Sequence, residues 1–185
     1  MPKDAESTSA KTCKVPHQAK WIAFRESRSC HVNGVPLTYA FTDGSSLGGF
    51  GCVMVRPQDQ ESLSRWKKPD ASRNVGAELE GFLLALDYAR EGENLLIVSD
   101  YLGVAAWMTG NWKIKKEEVR WRVEKAKQII EDKGLTVRYC HHAGHQSDDS
   151  DFTRYNTLAD RMAENGNSLK PQRGQSARLH KPLEG

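Results

Sequence analysis

Leu37-Thr38-Tyr39-Ala40-Phe41-Thr42-Asp43-Gly44 is an apolar and aromatic run that ends on a carboxylate and a glycine. Its composition reads as a β-strand, with Asp43 at the strand end and Gly44 opening a turn. Downstream, residues 50–56 read as a second strand and 61–67 as a weaker third. Gly48-Gly49 and Pro57-Gln58-Asp59 supply the turns of a meander. Residues 77–90 then read as a helix, because Leu79, Phe82, Leu83 and Leu86 recur at i, i+3, i+4 and i+7. The continuous apolar run 95–99 suits a strand covered on both faces. A short helix over 101–108, a longer one over 117–132, a fifth strand over 135–141 and a last helix over 153–164 complete the pattern. The order β-β-β-α-β-α-α-β-α predicts a mixed α/β fold: a five-stranded mixed sheet with helices packed on it.

Around that core, residues 1–36 are polar and without sustained period, an N-terminal extension that is partly ordered or flexible. Residues 37–165 form the expected domain. Residues 166–185, rich in Gly, Gln, Ser, Pro and Arg, are expected to be a disordered basic tail. The 185 residues carry a formal charge of +3. Lys170, Arg173, Arg178 and Lys181 against Glu184 already account for it, so the rest of the chain is formally neutral. That balance fits a nucleic-acid partner without demanding one. Cys13, Cys30, Cys52 and Cys140 are scattered with no C-x-x-C pair, which argues against zinc spacing or a disulfide framework and for reduced thiols. No apolar run approaches the roughly 18–20 residues of a membrane span. Asp4 and Glu6 disfavour an organellar presequence, so a cytoplasmic location is expected.

Four carboxylates occupy positions from which they could share a crevice: Asp43 and Asp100 at strand ends, Glu78 at the start of its helix, and Asp160 within the last helical pattern. Hard oxygen ligands of this kind suit Mg²⁺ or Mn²⁺, and pairs of such ions perform phosphoryl chemistry. Glu80 lies roughly 200° around the helix from Glu78, so both cannot face one site. Glu78 flanks the apolar face, and Glu80 is expected to point outward. The segment Cys140-His141-His142-Ala143-Gly144-His145 lacks the partners of a zinc site. His142, in a loop that Gly144 would loosen, suits a proton shuttle. Asp148-Asp149-Ser150-Asp151 reads as a solvated acidic loop.

Tyr39-Ala40-Phe41-Thr42-Asp43-Gly44-Ser45, Ala77-Glu78-Leu79 with Ala85-Leu86, Val98-Ser99-Asp100, His142-Ala143-Gly144-His145 and Asn156-Thr157-Leu158-Ala159-Asp160 follow one another in a specific order. In these motifs, spanning 37 to about 165, the chain resembles the type I ribonuclease H family. The resemblance implies a ribonuclease H-like fold and an endonuclease that cuts the RNA strand of RNA/DNA hybrids, leaving 5′-phosphate and 3′-hydroxyl ends. Asp43 would bridge two Mg²⁺ ions, with Mn²⁺ as a substitute. Glu78 and Asp100 would complete the shell of one ion, Asp160 would hold the other, and His142 would be the mobile histidine that assists proton transfer or product release. Gly44, Ser45, Ser46 and Asn74 would contact the hybrid. Gly76 stands where relatives carry an arginine, and Arg73 is expected to take over its phosphate contact.

The basic protrusion of many relatives is reduced or missing, because Asn111-Trp112-Lys113-Ile114-Lys115-Lys116 runs almost directly into the next helix. Trp112, Lys113, Lys115 and Lys116, with Trp107 and Trp121 nearby, fit two readings: a grip on the DNA backbone, or a solvated helix face with tryptophans anchored in the core. The expected partner is the hybrid alone, with a monomeric chain, no membrane and no small-molecule cofactor. Two other functions share the fold: a catalytically silent hybrid-binding module, and another nuclease of the same superfamily.

Overall fold

A computed structural model describes residues 31–32, 35–144 and 148–170. The rest of the extension, His145, and the basic tail from 171 lie outside the described residues. The chain forms β1 (His31–Val32), β2 (Val35–Gly44), β3 (Gly49–Val55), β4 (Gln60–Trp66), α1 (Arg73–Tyr88), β5 (Asn94–Ser99), α2 (Leu102–Met108), α3 (Glu117–Asp132), β6 (Thr136–His141) and α4 (Asp151–Ser168). Five strands lie in the order β4-β3-β2-β5-β6. The meander β2–β3–β4 is antiparallel, while β5 runs parallel to β2 and β6 parallel to β5. The mixed sheet and the element order agree with the sequence reading. The addition is β1, which pairs antiparallel with the start of β2, Val32 opposite Val35, inside the segment expected to be an extension.

Strand periodicity sorts the core into two layers. Tyr39, Phe41, Val53, Val55 and Val98 face α4, where they pack with Phe152, Tyr155 and Ala159. Ala40, Cys52, Met54, Leu95 and Ile97 face the other way, onto α1 and α3 through Leu79, Phe82, Leu83, Leu86, Val119 and Val123. Both faces of β2 and β5 are therefore covered, which is why their sequences read as nearly continuous apolar runs.

Several helix ends differ from the sequence reading, and two of these shifts bear on the site. Helix α1 begins at Arg73 rather than 77, so Glu78 lies in its second turn and not at its start. Residues 73–76 carry no apolar repeat that would reveal them as helical. Helix α4 runs to Ser168, past the expected boundary at 165. Gly166 belongs to the packed domain rather than to a tail, because a Cβ there would stand 2.2 Å from the carbonyl oxygen of Arg65. Composition read that glycine as looseness, whereas the structure uses it for contact.

Glu80 also departs from expectation: it is buried rather than outward-facing, paired with Arg122 and Lys67. Every residue of α1 from Gly76 to Leu86 is buried, because the sheet covers one side and α3 the other. Periodicity detects the apolar face and cannot see that the polar face meets another helix.

Helix α1 lies unusually close to β2. A Cβ on Gly81 would meet the carbonyl oxygen of Asp43 at 2.7 Å, and one on Gly44 would meet the backbone of Ala77 and Glu78 at 2.2 Å. Alanine is the better helix former by about 1 kcal/mol. We nevertheless expect Gly81→Ala to destabilise the domain by roughly 1–3 kcal/mol, because overpacking outweighs propensity. Urea unfolding checks this, and a more stable variant would show that the seam tolerates separation.

Candidate active site

The parallel register pairs Phe41 with Val98, and two residues further along each chain stand Asp43 and Asp100. The Gly44–Gly81 seam brings Glu78 to the same point from α1. Carboxylate oxygens of Asp43, Glu78 and Asp100 lie within 4.8 Å of one another. Asp160 is not part of that tight group, but α4 carries it close enough for its charge to act on Asp43. Helix α4 owes its position to glycines: a Cβ on Gly49 would meet Ala163 O at 2.1 Å, and one on Gly51 would meet Met162 Cβ at 2.4 Å.

The electrostatics are those of a cation site. Burial and the neighbouring charge of Asp100 push the Asp43 carboxyl up to about 7, against a hydrogen bond from Gly44 N at 2.7 Å. Glu78, only 7 % exposed, is raised well above the ordinary range by burial and then by Asp43 and Asp100. Its Oε2 has no hydrogen-bond partner. A buried carboxylate oxygen without a donor, inside a set of oxygen-only ligands, fits a hard divalent cation such as Mg²⁺ or Mn²⁺. The tight group contains neither thiolate nor imidazole, so it does not suit a structural zinc.

His142 is placed otherwise than expected. It is 3 % exposed, its ring packs on Phe152 with centroids 5.8 Å apart, and its Nε2 lies 3.2 Å from Thr153 Oγ1. Its backbone N–H donates to Ser99 O at 3.0 Å. The side chain is thus buried and hydrogen-bonded in this conformation, rather than open to solvent on a loop. Gly144 explains the misreading: a Cβ there would stand 2.5 Å from Asp100 Oδ2, so this glycine admits a close approach to the carboxylate instead of loosening the loop. His141 adds a contact on the same residue, its Nε2 2.8 Å from Asp100 O. Asp148 is structural rather than merely solvated. It accepts from Ser150 N at 3.0 Å and from Thr153 Oγ1 at 2.6 Å, beside the N-cap of α4, where Ser150 Oγ accepts from Thr153 N.

The expected substrate contacts fall into two groups. Gly44 ends β2 and Ser45 and Ser46 follow it in the turn, while Arg73 and Asn74 are exposed at the start of α1. Trp112, Lys113, Lys115 and Lys116 border an open groove of about 420 Å³ between α2 and α3. Trp112 is 44 % exposed and packs edge-on against Trp107, which is half-buried against the core. The groove therefore combines the two readings left open by the sequence, an anchored Trp107 and a presented Trp112. Trp121 is not in it; that ring lies elsewhere on α3, with Lys67 Nζ 4.8 Å from its centroid.

Two residues escaped the sequence reading. Tyr101 lines the groove beside Trp107 and joins it to the carboxylates, since burial and the charge of Glu78 raise its phenol. Asn167 locks the turn after β2, accepting from Gly49 N at 2.8 Å and donating to Ser45 Oγ at 3.0 Å. Tyr101 follows Asp100 directly and could have been noticed. No spacing rule links Asn167 to a serine so far away in the chain.

Residues 37–168 match the sequence model of the ribonuclease H family, described as RNase H. No curated protein matches the chain. Among solved structures, RNase H1 of the halophilic archaeon Halobacterium salinarum NRC-1 is 18% identical with a TM-score of 0.58, over 72% of this chain and 98% of that one. The N-terminal RNase H domain of Rv2228c from Mycobacterium tuberculosis, solved as a fusion with maltose-binding protein, is 19% identical with a TM-score of 0.54, over 72% and 94%. LC11-RNase H1, solved in complex with an RNA/DNA hybrid, is 15% identical with a TM-score of 0.51, over 70% and 96%. At these identities the structural likeness speaks to the fold, while the family match covers most of the chain.

The raised carboxyls give the metal-free protein a defined pH dependence. Between about 4 and 7 the unfolded chain releases the Asp43 proton while the folded chain keeps it, so stability is greatest below that window and falls as pH rises through it. We expect Asp43→Asn to flatten this fall and to stabilise the metal-free protein at pH 8 by roughly 2 kcal/mol. Thermal melts in EDTA from pH 4 to 8 test it. A wild-type midpoint that rises over that range would contradict the crowding of acids.

Proposed function

The chain belongs to the ribonuclease H family, and from that membership we propose that it hydrolyses the RNA strand of RNA/DNA hybrids with two divalent cations, leaving 5′-phosphate and 3′-hydroxyl ends. The observation that carries this reading is the convergence of Asp43, Glu78 and Asp100 within 4.8 Å, with the charge of Asp160 felt by Asp43. The LC11 enzyme bound to an RNA/DNA hybrid supports that substrate class for a fold of this kind.

Asp43, Glu78, Asp100 and Asp160 would hold the ions, Asp43 shared between the two sides of the site. Mg²⁺, or Mn²⁺ in its place, would supply a nucleophile at neutral pH and charge relief on the leaving oxygen when bound. The remaining work falls to the protein. The turn carrying Gly44, Ser45 and Ser46, braced by Asn167, faces the RNA strand near the scissile phosphate, where a 2′-hydroxyl distinguishes RNA from DNA. Asn74 and Arg73 approach from the start of α1. The groove of Tyr101, Trp107 and Trp112, edged by Lys113, Lys115 and Lys116, receives the DNA strand by charge and stacking. His142 serves proton transfer or product release by turning out of its contact with Thr153. We assign the activity to a monomer in the cytoplasm.

The test uses a labelled RNA strand paired with DNA or with RNA, and a DNA/DNA control, in Mg²⁺ or EDTA. Metal-dependent cutting of RNA in the hybrid alone is expected, and cutting in EDTA would defeat the reading. Asp43→Asn and Asp100→Asn should each lower the rate by more than about 100-fold while hybrid affinity stays within about threefold. Near-normal turnover in either variant would remove the carboxylates from the chemistry. Replacing Lys113, Lys115 and Lys116 together by alanine should reduce the slope of log affinity against log salt by about 2–3. An unchanged slope would place the DNA strand elsewhere.

A further inference from the structure

Helix α1 starts in a conformation that needs external support. Arg73, its first residue, has φ +40°, and among the described residues no other non-glycine has a positive φ. Such backbone persists only where its surroundings over-determine it, and it clusters at functional sites. The support comes from Asp70. Its Oδ1 accepts from Ser72 N at 2.9 Å and from the Ser72 hydroxyl, and its backbone oxygen accepts from Arg73 N at 3.1 Å. Asp70 is held in turn from α3. Arg122, 3 % exposed, donates from Nη2 to Asp70 Oδ2 at 2.6 Å, from Nε to Glu80 Oε1 at 2.8 Å and from Nη1 to Glu118 O at 2.9 Å.

Lys67 donates to the same Glu80 oxygen at 2.6 Å, closing a network of two bases and two acids. Lys116 Nζ adds a longer bond, 3.5 Å, to Ala71 O in the same loop. Gly76 makes room for the cluster: a Cβ there would stand 2.8 Å from Ser72 Oγ, 3.1 Å from Asp70 Oδ1 and 3.4 Å from Arg122 Nη2. A partly buried ion network such as this, with Arg122 and Glu80 enclosed and Lys67 exposed, is weak evidence for stability. Its bonds converge instead on the turn from which Arg73 and Asn74 emerge exposed.

We propose that Arg122 is a positioning residue for substrate binding: by fixing Asp70 it holds the left-handed Arg73 turn and so presents Arg73 and Asn74 to the nucleic acid. The proposal rests on the hybrid-cleaving reading above. Arg122 is buried and touches no substrate. Its effect passes through the turn, so it acts on binding more than on the chemical step.

The test is steady-state cleavage of the hybrid in Mg²⁺ by wild type, Arg122→Met, Gly76→Ala, Asn74→Ala and the double variant Arg122→Met/Asn74→Ala. Gly76→Ala presses on the same network from α1, and alanine favours the helix, so weakened binding there cannot be laid to lost helix propensity. Arg122→Met and Gly76→Ala should each raise KM about tenfold with kcat within about twofold. The double variant should bind no worse than Asn74→Ala by more than about twofold, because both changes remove one contact. Should Arg122→Met fail to fold, Gly76→Ala alone decides. Wild-type KM in Gly76→Ala, a loss confined to kcat, or full multiplication of the two KM effects in the double variant would overturn the proposal. A wild-type chain that does not cut the hybrid would defeat the functional reading instead.

Discussion

The direct contact of the sheet backbone with two helices, one on each face, is the constraint on which this molecule depends. On one face Gly44 and Gly81 let α1 lie against β2 with nothing but backbone between them. On the other face Gly49, Gly51 and Gly166 do the same for α4 against β3 and β4. Helices ordinarily keep their distance from a sheet because side chains fill the gap. Here the gap is closed locally, at the end of β2 where Asp43 stands. That closeness lets acids from a strand, a following loop and a helix meet within a few ångströms.

Such convergence opposes stability. Burial and like charge raise Asp43 and Glu78, so folding brings together groups that would ionise apart in the unfolded chain. Packing on both faces of β2 and β5 supplies the compensation, with large side chains such as Phe41, Phe82 and Met54 fully enclosed. At the end of the sheet away from the acids, Arg56 and Glu93 form a buried pair that joins β3 to the start of β5. Charges there are matched, whereas at the catalytic end they are left in excess, which is what a cation would answer.

A second layer of organisation surrounds the acids. Asn167 ties the turn after β2 to the last helix, Gly144 lays its backbone on Asp100, and Arg122 ties the start of α1 to α3. Each of these residues belongs to an element different from the group it steadies. The side chains proposed to meet the nucleic acid thus stand in turns and at element ends whose geometry is fixed from behind, as binding on a rigid scaffold requires.

What the sequence determined by itself was the periodic and the local. The alternation in Tyr39-Ala40-Phe41, the helical repeat from Leu79 to Leu86 and the apolar run before Asp100 placed the strands, the central helix and two of the four acids, Asp43 and Asp100, at strand ends. Tertiary structure decided what periodicity cannot carry. Glu80 reads as solvent-facing in a helix taken alone, yet α3 covers it with Arg122. Gly144 and Gly166 read as looseness, yet each marks a close approach whose other partner, Asp100 or Arg65, lies far away in the chain. The loop position of His142 was legible, but its burial against Phe152 and Thr153 was not. A local pattern records which way a side chain leaves its own element, and only the packed fold decides what waits there.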